Sequence, residues 1–325
     1  MTGSAALSVI FAGPHVSVQD SGRPGLMRFG VPQSGPMDRI AFAASNIALG
    51  NPPDAPAIEV SLGGLKLQCL SGEIGFAVAG GGFRIDHAGR QRGSWTMATL
   101  RAGEVLVIRP GQWGSWCYLA LAGDLLTRSW LGSHATHALS GFGGGRLQAG
   151  QILNIGEARV TAEGDVPCPV FARPPRCVHV TLGPQDRFFS AGALETFLST
   201  SWRMTEAWDR MGVRLSGPPI TPSAALDMPS EPITRGAVQV AGDGVPTVLL
   251  ADHQTTGGYP KIATVLDCDL DAFVQLRPND IVKFQCVAPE QAILRARAAA
   301  ARAARYRQGI ERRVVAAMQG EMLSP

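Results

Sequence analysis

Lysine is almost missing from this 325-residue chain: Lys66, Lys261 and Lys283 are all there is, and the basic charge rests on arginine. None of the three precedes Ser or Thr, so the lysine loop that grips nucleotide phosphates is absent. No serine stands in G-x-S-x-G, which excludes a nucleophile elbow. No glycine set is spaced as G-x-G-x-x-G after a strand. Gly80-Gly81-Gly82 and Gly143-Gly144-Gly145 read as turns, or as loops that let backbone approach a ligand. The cysteines (Cys69, Cys117, Cys168, Cys177, Cys268, Cys286) never form C-x-x-C and lie in apolar runs. Buried free thiols in a reducing compartment are therefore expected, not zinc ligands or disulfides. His134 and His137 have no carboxylate or thiol beside them, and no metal is expected. Residues 5–12 are apolar but short and lack a basic flank, so they read as a first strand; no membrane association is expected and the chain reads as cytoplasmic.

Charge is sparse as well, at 17% of residues with a net +3. From Ala288 onward seven arginines face three glutamates, a net +4, which leaves the rest of the chain near −1. That distribution offers no basic face for nucleic acid.

What is present is a core-forming chain, 45% hydrophobic with mean hydropathy +0.08. The length favours two domains. Glycine (39) and proline (23) are plentiful and aromatics only 6%, which suits many short strands with tight turns. Strand-like runs cover residues 57–70, 74–79, 104–108, 117–122, 178–182, 237–240, 247–251, 262–266 and 281–287. In the last run Val282, Phe284 and Cys286 alternate with Lys283 and Gln285, the period of a half-buried strand. Helical spacing predicts helices over 36–49, closed by Gly50, over 186–198, and over 289–318, where Tyr306, Ile310 and Val314 form one stripe. Pro167, Pro169, Pro174 and Pro175 mark an aperiodic connection at 162–176. The expected domains are residues 1–165 and 166–325, the second carrying the C-terminal helix; the boundary is approximate and the domains are free to interleave.

Three segments concentrate polar chemistry. Val18-Gln19-Asp20-Ser21-Gly22-Arg23-Pro24-Gly25 runs on to Gly30-Val31-Pro32-Gln33-Ser34-Gly35-Pro36-Met37-Asp38, where Ser34, Met37 and Asp38 fall at a helix start whose N–H groups attract anions and carbonyl oxygens. A capped helix behind two turns explains the same residues. The second segment is Asp209-Arg210-Met211-Gly212. The third follows the apolar run 248–251: Asp252-His253-Gln254-Thr255-Thr256-Gly257-Gly258-Tyr259-Pro260-Lys261. Acid, amide, hydroxyl and lysine around a Gly-Gly bend mark a ligand site. Lys261 can hold a carboxylate or polarise a carbonyl, and Asp252 or Asp38 can move protons.

These segments resemble the biotin-dependent carboxyltransferase family, which includes the second allophanate hydrolase subunit and the C-type component of the bacterial ATP-dependent 5-oxoprolinase. Gly50-Asn51-Pro52, Ile58-Glu59-Val60-Ser61-Leu62-Gly63-Gly64, Leu119-Ala120-Leu121-Ala122-Gly123, Leu131-Gly132-Ser133, Leu182-Gly183-Pro184-Gln185-Asp186 and Gln275-Leu276-Arg277-Pro278 extend the likeness over roughly residues 7–288. The chain departs from the family pattern at His134, where Arg is usual, at Trp208, where Ser is usual, and around 141–146. The resemblance implies a mainly β fold with minor α: two cyclophilin-like β-barrel domains plus the long C-terminal helix. It implies a site with Asp38, Asp252 and Lys261 as catalytic groups, and Gln19, Asp20, Arg23, Ser34, Gly35, Met37, Arg210, Gln254, Thr255, Gly257, Gly258 and Tyr259 around a small amide.

Three functions are compatible with that resemblance. The first is a subunit of a 5-oxoprolinase complex that opens 5-oxoproline to glutamate at the expense of ATP. It would act with a shorter partner, of the type of the first allophanate hydrolase subunit or the B-type component of 5-oxoprolinase, and with a LamB/YcsF-like subunit. ATP is then used by the complex, not necessarily by this chain. The second is the carboxyltransferase component of a biotin-dependent urea or amide carboxylase. Ala317-Met318-Gln319 has Gln where a biotinylated lysine would stand, so no biotin is expected on this chain. The third is a non-catalytic regulator that binds a kinase inhibitor.

Overall fold

The computed structural model of the chain describes residues 3–223 and 228–322. It is mainly β, with 37% of residues in strands and 21% in helices. The described residues divide into two compact units, one of residues 3–23, 34–173 and 302–322, the other of 24–33, 174–223 and 228–301.

The first unit is built from two sheets around one core. A seven-stranded sheet runs in the order Asp124–Leu125, Ile152–Ala158, Gly3–Ala12, Leu65–Ser71, Val105–Arg109, Arg84–His87, Arg90–Gly93. A six-stranded sheet runs Gly164–Asp165, Thr96–Arg101, Glu73–Ala79, Trp116–Leu121, Ala57–Ser61, Ser17–Gln19. The continuous run expected at 57–70 is two strands, because Gly64 (φ +77°) turns the chain between them. Leu65, Leu67 and Cys69 are buried, whereas Lys66 and Leu70 on the other face are exposed. Glu73–Ala79 and Trp116–Leu121 are buried almost throughout. The reason is helix α1 (Arg39–Ala48), which packs on these strands, with Phe42 edge-on to Tyr118 at 5.7 Å between ring centroids. A strand covered on both faces reads as an unbroken apolar run.

The second unit contains a closed barrel of seven strands: Cys177–Leu182, Lys261–Val265, Ala237–Val240, Pro246–Leu249, Gly212–Ser216, Trp202–Trp208 and Ile281–Cys286. Neighbours are antiparallel except at the closing seam, where Cys177–Leu182 and Ile281–Cys286 run parallel. Helix α2 (Ala191–Ser199) and helix α3 (Asp267–Phe273) belong to this unit. The helix expected over 186–198 is broken: a 3-10 turn at Asp186–Phe188 is followed by α2, which Ser190 caps by accepting from Ala193 N–H at 3.2 Å.

Helix α4 (Pro289–Met322) is divided between the units. The expectation above placed it wholly with the second half. Its residues from 302 join the first unit, where Ile310 is buried in the core and the Tyr306 hydroxyl donates to Pro167 O at 2.6 Å. No helix among the described residues is long and apolar enough to cross a membrane. All six cysteines are free, yet only Cys69 and Cys117 are buried. Cys177, Cys168 and Cys286 are exposed, which corrects the expectation of buried thiols. Cys177 begins its strand on the face opposite the buried Val178 and Val180, and Cys286 is the last residue of its strand.

Gly80 marks where α1 and its sheet meet most closely. Its φ is +104°, and a Cβ there would lie 2.8 Å from Trp116 O and 3.1 Å from Ala41 Cβ. Gly80→Val is expected to destabilise the protein by about 2–4 kcal/mol, the sum of backbone strain and overpacking. Urea unfolding of the variant against the native chain measures it.

Candidate functional site

The second unit holds the more reactive cluster. Lys261 opens its strand and is paired across the ladder with Gln239; the register slips by one residue between Val238 and Gln239. Direct cross-strand partners project to one face, and a bulge beside them re-aims side chains. Lys261 is 2% exposed and Gln239 5%. Neither Lys261 Nζ nor Gln239 Nε2 has a hydrogen-bond partner. The nearest carboxylate to Lys261 is Glu231 Oε2 at 3.9 Å, beyond hydrogen-bond reach. Burial lowers the lysine's pKa, and Glu231 offsets part of that shift.

The neighbouring groups are already committed. Gln185 Oε1 accepts from Lys261 N–H at 2.9 Å, and Gln185 Nε2 donates to the Glu231 carboxylate. Gln239 Oε1 accepts from Gln254 Nε2 at 3.3 Å. Thr256–Gly257 pairs with Glu231–Pro232, and Thr255 O accepts from Ile233 N–H. Gly258 lies against Met228 O, and Tyr259 is 48% exposed. Arg210 and Asp252 form a two-pronged pair, Nε to Oδ2 at 2.9 Å and Nη2 to Oδ1 at 3.0 Å, with side chains 2% and 1% exposed. Asp252, expected as a proton mover, thus has both oxygens on a guanidinium. His253 Nδ1 donates to Gln254 O at 2.7 Å, and burial lowers its pKa.

In the first unit the other predicted residues form a hydrogen-bonded scaffold. Asp20 accepts from Gly22 N–H, the Ser133 hydroxyl, His134 N–H and Ala135 N–H at 2.5–3.1 Å. Arg23 donates to Trp130 O and to Ala135 O and lies over the Trp130 ring. Gln19 Nε2 donates to Ser17 Oγ and Thr136 O. Gly143 and Gly144 pack on Ala135 and Val18, so this glycine run is a packed turn. Asp38 is the N-cap of α1, accepting from Ile40 N–H at 3.1 Å and Ala41 N–H at 2.9 Å. The wholly buried Glu59 carboxylate accepts from Met37 N–H at 2.9 Å and the Tyr118 hydroxyl at 2.7 Å, and that hydroxyl accepts from Asp38 N–H. Burial, then the charges of Glu59 and Asp38, hold the Tyr118 phenol well above its ordinary pKa, so it remains a donor. Ser34 has φ +56° beside Gly35 at +87°, and its buried Oγ lacks a partner. His134 and His137 bond Thr127 and Ser140, and no metal-binding group of three or more side chains occurs among the described residues.

Residues 29–286 match the family described as carboxyltransferase domain, subdomain A and B. The chain belongs to this carboxyltransferase family. It is 34% identical to the C-type component of 5-oxoprolinase from Haemophilus influenzae, over 85% of this chain and 89% of that one. It also resembles the solved structure of TTHA0988, at TM-score 0.77 and 34% identity over 86% of this chain and 55% of that one. The K. lactis urea amidolyase superposes with TM-score 0.82 at 27% identity, over 93% of this chain but 20% of that protein. The chain therefore spans about half of one solved relative and a fifth of the other.

Within this carboxyltransferase scaffold the structure gathers Lys261, Gln254 and Gly257 around Gln239, and places Arg210 and Asp252 as a pair in the same unit. Gln19, Asp20, Arg23, Ser34, Gly35, Met37 and Asp38 belong to the other unit. Gln185, Glu231, Gln239, Glu59 and Tyr118 escaped prediction as site residues. Gln185 and Glu59 stood inside family landmarks, but Glu231 and Gln239 carried no local signal.

Arg210→Ala or Asp252→Ala removes one half of a buried two-pronged ion pair and is expected to cost about 3–5 kcal/mol. Lys261→Met removes a buried cation that has no hydrogen bond, so at pH 7 it should be at least as stable as the native chain. Because the folded pKa lies below the ordinary lysine value of 10.5, the native state loses its proton first, and the penalty of Lys261 fades as pH rises toward 10.5. Urea midpoints from pH 7 to pH 10 should show the variant's advantage shrinking.

Proposed function

We propose that the chain is a subunit of an ATP-dependent 5-oxoprolinase complex that opens 5-oxoproline to glutamate. It acts with a separate, shorter partner like the B-type component of 5-oxoprolinase and with a LamB/YcsF-like subunit. The observation that carries this reading is the buried ammonium of Lys261, which makes no hydrogen bond, in a chain 34% identical over most of its length to a C-type 5-oxoprolinase component. Opening a lactam means breaking amide resonance. That work needs a planar substrate held firmly while charge moves between its nitrogen and oxygen, not a serine nucleophile. Lys261 engages the substrate. Arg210 and Asp252 hold the preceding turn, and Asp38 and Glu59 hold the start of α1. ATP hydrolysis by the complex drives the step. The phosphate-gripping lysine loop is absent here, and ATP is used by the complex, not necessarily by this chain. This reading puts neither biotin nor a metal on this chain.

A second reading, the carboxyltransferase of a biotin-dependent amide carboxylase, draws support from the likeness to the K. lactis urea amidolyase at TM-score 0.82. One experiment separates the two. ATP hydrolysis and glutamate formation are followed with this chain and its partner subunits, with and without 5-oxoproline. Both should require this chain, and Lys261→Met should slow glutamate formation by about 100-fold, the scale of lost positioning. No turnover of 5-oxoproline, with carboxylation of urea once a biotinylated partner is added, would overturn the first reading in favour of the second.

A further inference from the structure

We infer that Lys261 and Gln239 form a carboxylate anchor, Nζ and Nε2 each taking one oxygen of a small monocarboxylate, so that the site selects acids over neutral amides; this rests on the proposed function only for which acid is bound. The cluster's donor and acceptor inventory leads to this assignment. Its amide oxygens are engaged, Gln185 Oε1 by Lys261 N–H and Gln239 Oε1 by Gln254 Nε2. The buried side-chain atoms left over at the cross-strand pair, Lys261 Nζ and Gln239 Nε2, are both donors. A urea or a bare lactam brings N–H groups that need acceptors, whereas an ionised carboxylate only accepts and does so at two oxygens.

Charge points the same way. An ammonium taken out of water without a hydrogen bond is costly until an anion meets it. Glu231 does not fill that role: it stands 3.9 Å off, its side chain is 43% exposed, and it accepts from Gln185. A carboxylate that reaches Lys261 would gain a charge-assisted hydrogen bond where little water competes. Gly257 keeps side-chain bulk away from the pair. A Cβ there would lie 2.9 Å from Gln239 Nε2 and 2.6 Å from Ile233 Cδ1. Bare backbone therefore faces the buried donor edge of the amide without engaging it. Ile233, 2% exposed, supplies an apolar wall for a short carbon body.

Calorimetry on the full chain tests the anchor with four probes: propionate, 5-oxoproline, 2-pyrrolidinone and urea. The two acids should bind and the two neutral amides should not. Gln239→Leu and Lys261→Met should each weaken acid binding about tenfold or more, the scale of a hydrogen bond to a charged group. Circular dichroism and urea midpoints confirm that both variants fold. Gly257→Ala, which crowds Gln239 Nε2 without removing a donor, should weaken the acids in the same way. Neutral amides that bind as tightly as propionate, acids that do not bind at all, or acid binding indifferent to both substitutions would overturn the anchor. Acid binding that depends on both residues, in a chain whose complex leaves 5-oxoproline untouched, would uphold the anchor and overturn only the function proposed above.

Discussion

The Arg210–Asp252 pair sits with both side chains out of water, and each ion removed from water costs several kcal/mol before mutual attraction returns any of it. That cost is offset only because the geometry is two-pronged and the backbone joins in. Asp252 N–H donates to Arg210 O at 2.8 Å and Leu250 N–H to Met211 O at 2.9 Å. The ends of the barrel strands Gly212–Ser216 and Pro246–Leu249 are thereby clamped together by side chain and main chain at once. The loop that follows, from Asp252 to Lys261, starts from a fixed point. Everything at the Lys261 cluster depends on it.

Two buried carboxylates and one buried ammonium are treated very differently. Glu59 and Asp252 have their needs met within the fold, by Met37, Tyr118 and Arg210. Lys261 has not. Satisfied buried charges fix structure, and an unsatisfied one is a cost that folding alone gives no reason to keep. This contrast sets Glu59 and Asp252 apart from Lys261. In the structure Asp38 caps α1 and Asp252 holds the Arg210 guanidinium.

Much of the fold was legible because its signals are local. The alternation at 282–286, the stripe on α4 and the closing glycine of α1 each follow from a few neighbouring residues. The break before α2 was missed because Ser190 acts as a cap within an otherwise helical spacing, and a cap is decided by backbone geometry rather than by apolar period. At the site, Lys261 was legible as a rare lysine amid a mixed polar loop. Gln239 was not, since nothing around it in the chain announces a role; it gains one only by pairing with a residue 22 positions away in the sequence. Glu59 and Tyr118 were hidden for the same reason, lying in apolar strands whose register alone joins them.

The barrel seam has a consequence for biosynthesis. Its first strand, Cys177–Leu182, closes against its last, Ile281–Cys286, and the two run parallel. Until the ribosome has delivered the final strand, Cys177–Leu182 and Trp202–Trp208 remain open edges with unpaired backbone, the kind of surface on which nascent chains stick to one another. Parallel pairing over such a separation is also slow, because the intervening chain must be ordered before the seam rewards it. The second unit therefore completes its wall only at the end of its own synthesis, and the interval before closure is when a chaperone has most to protect.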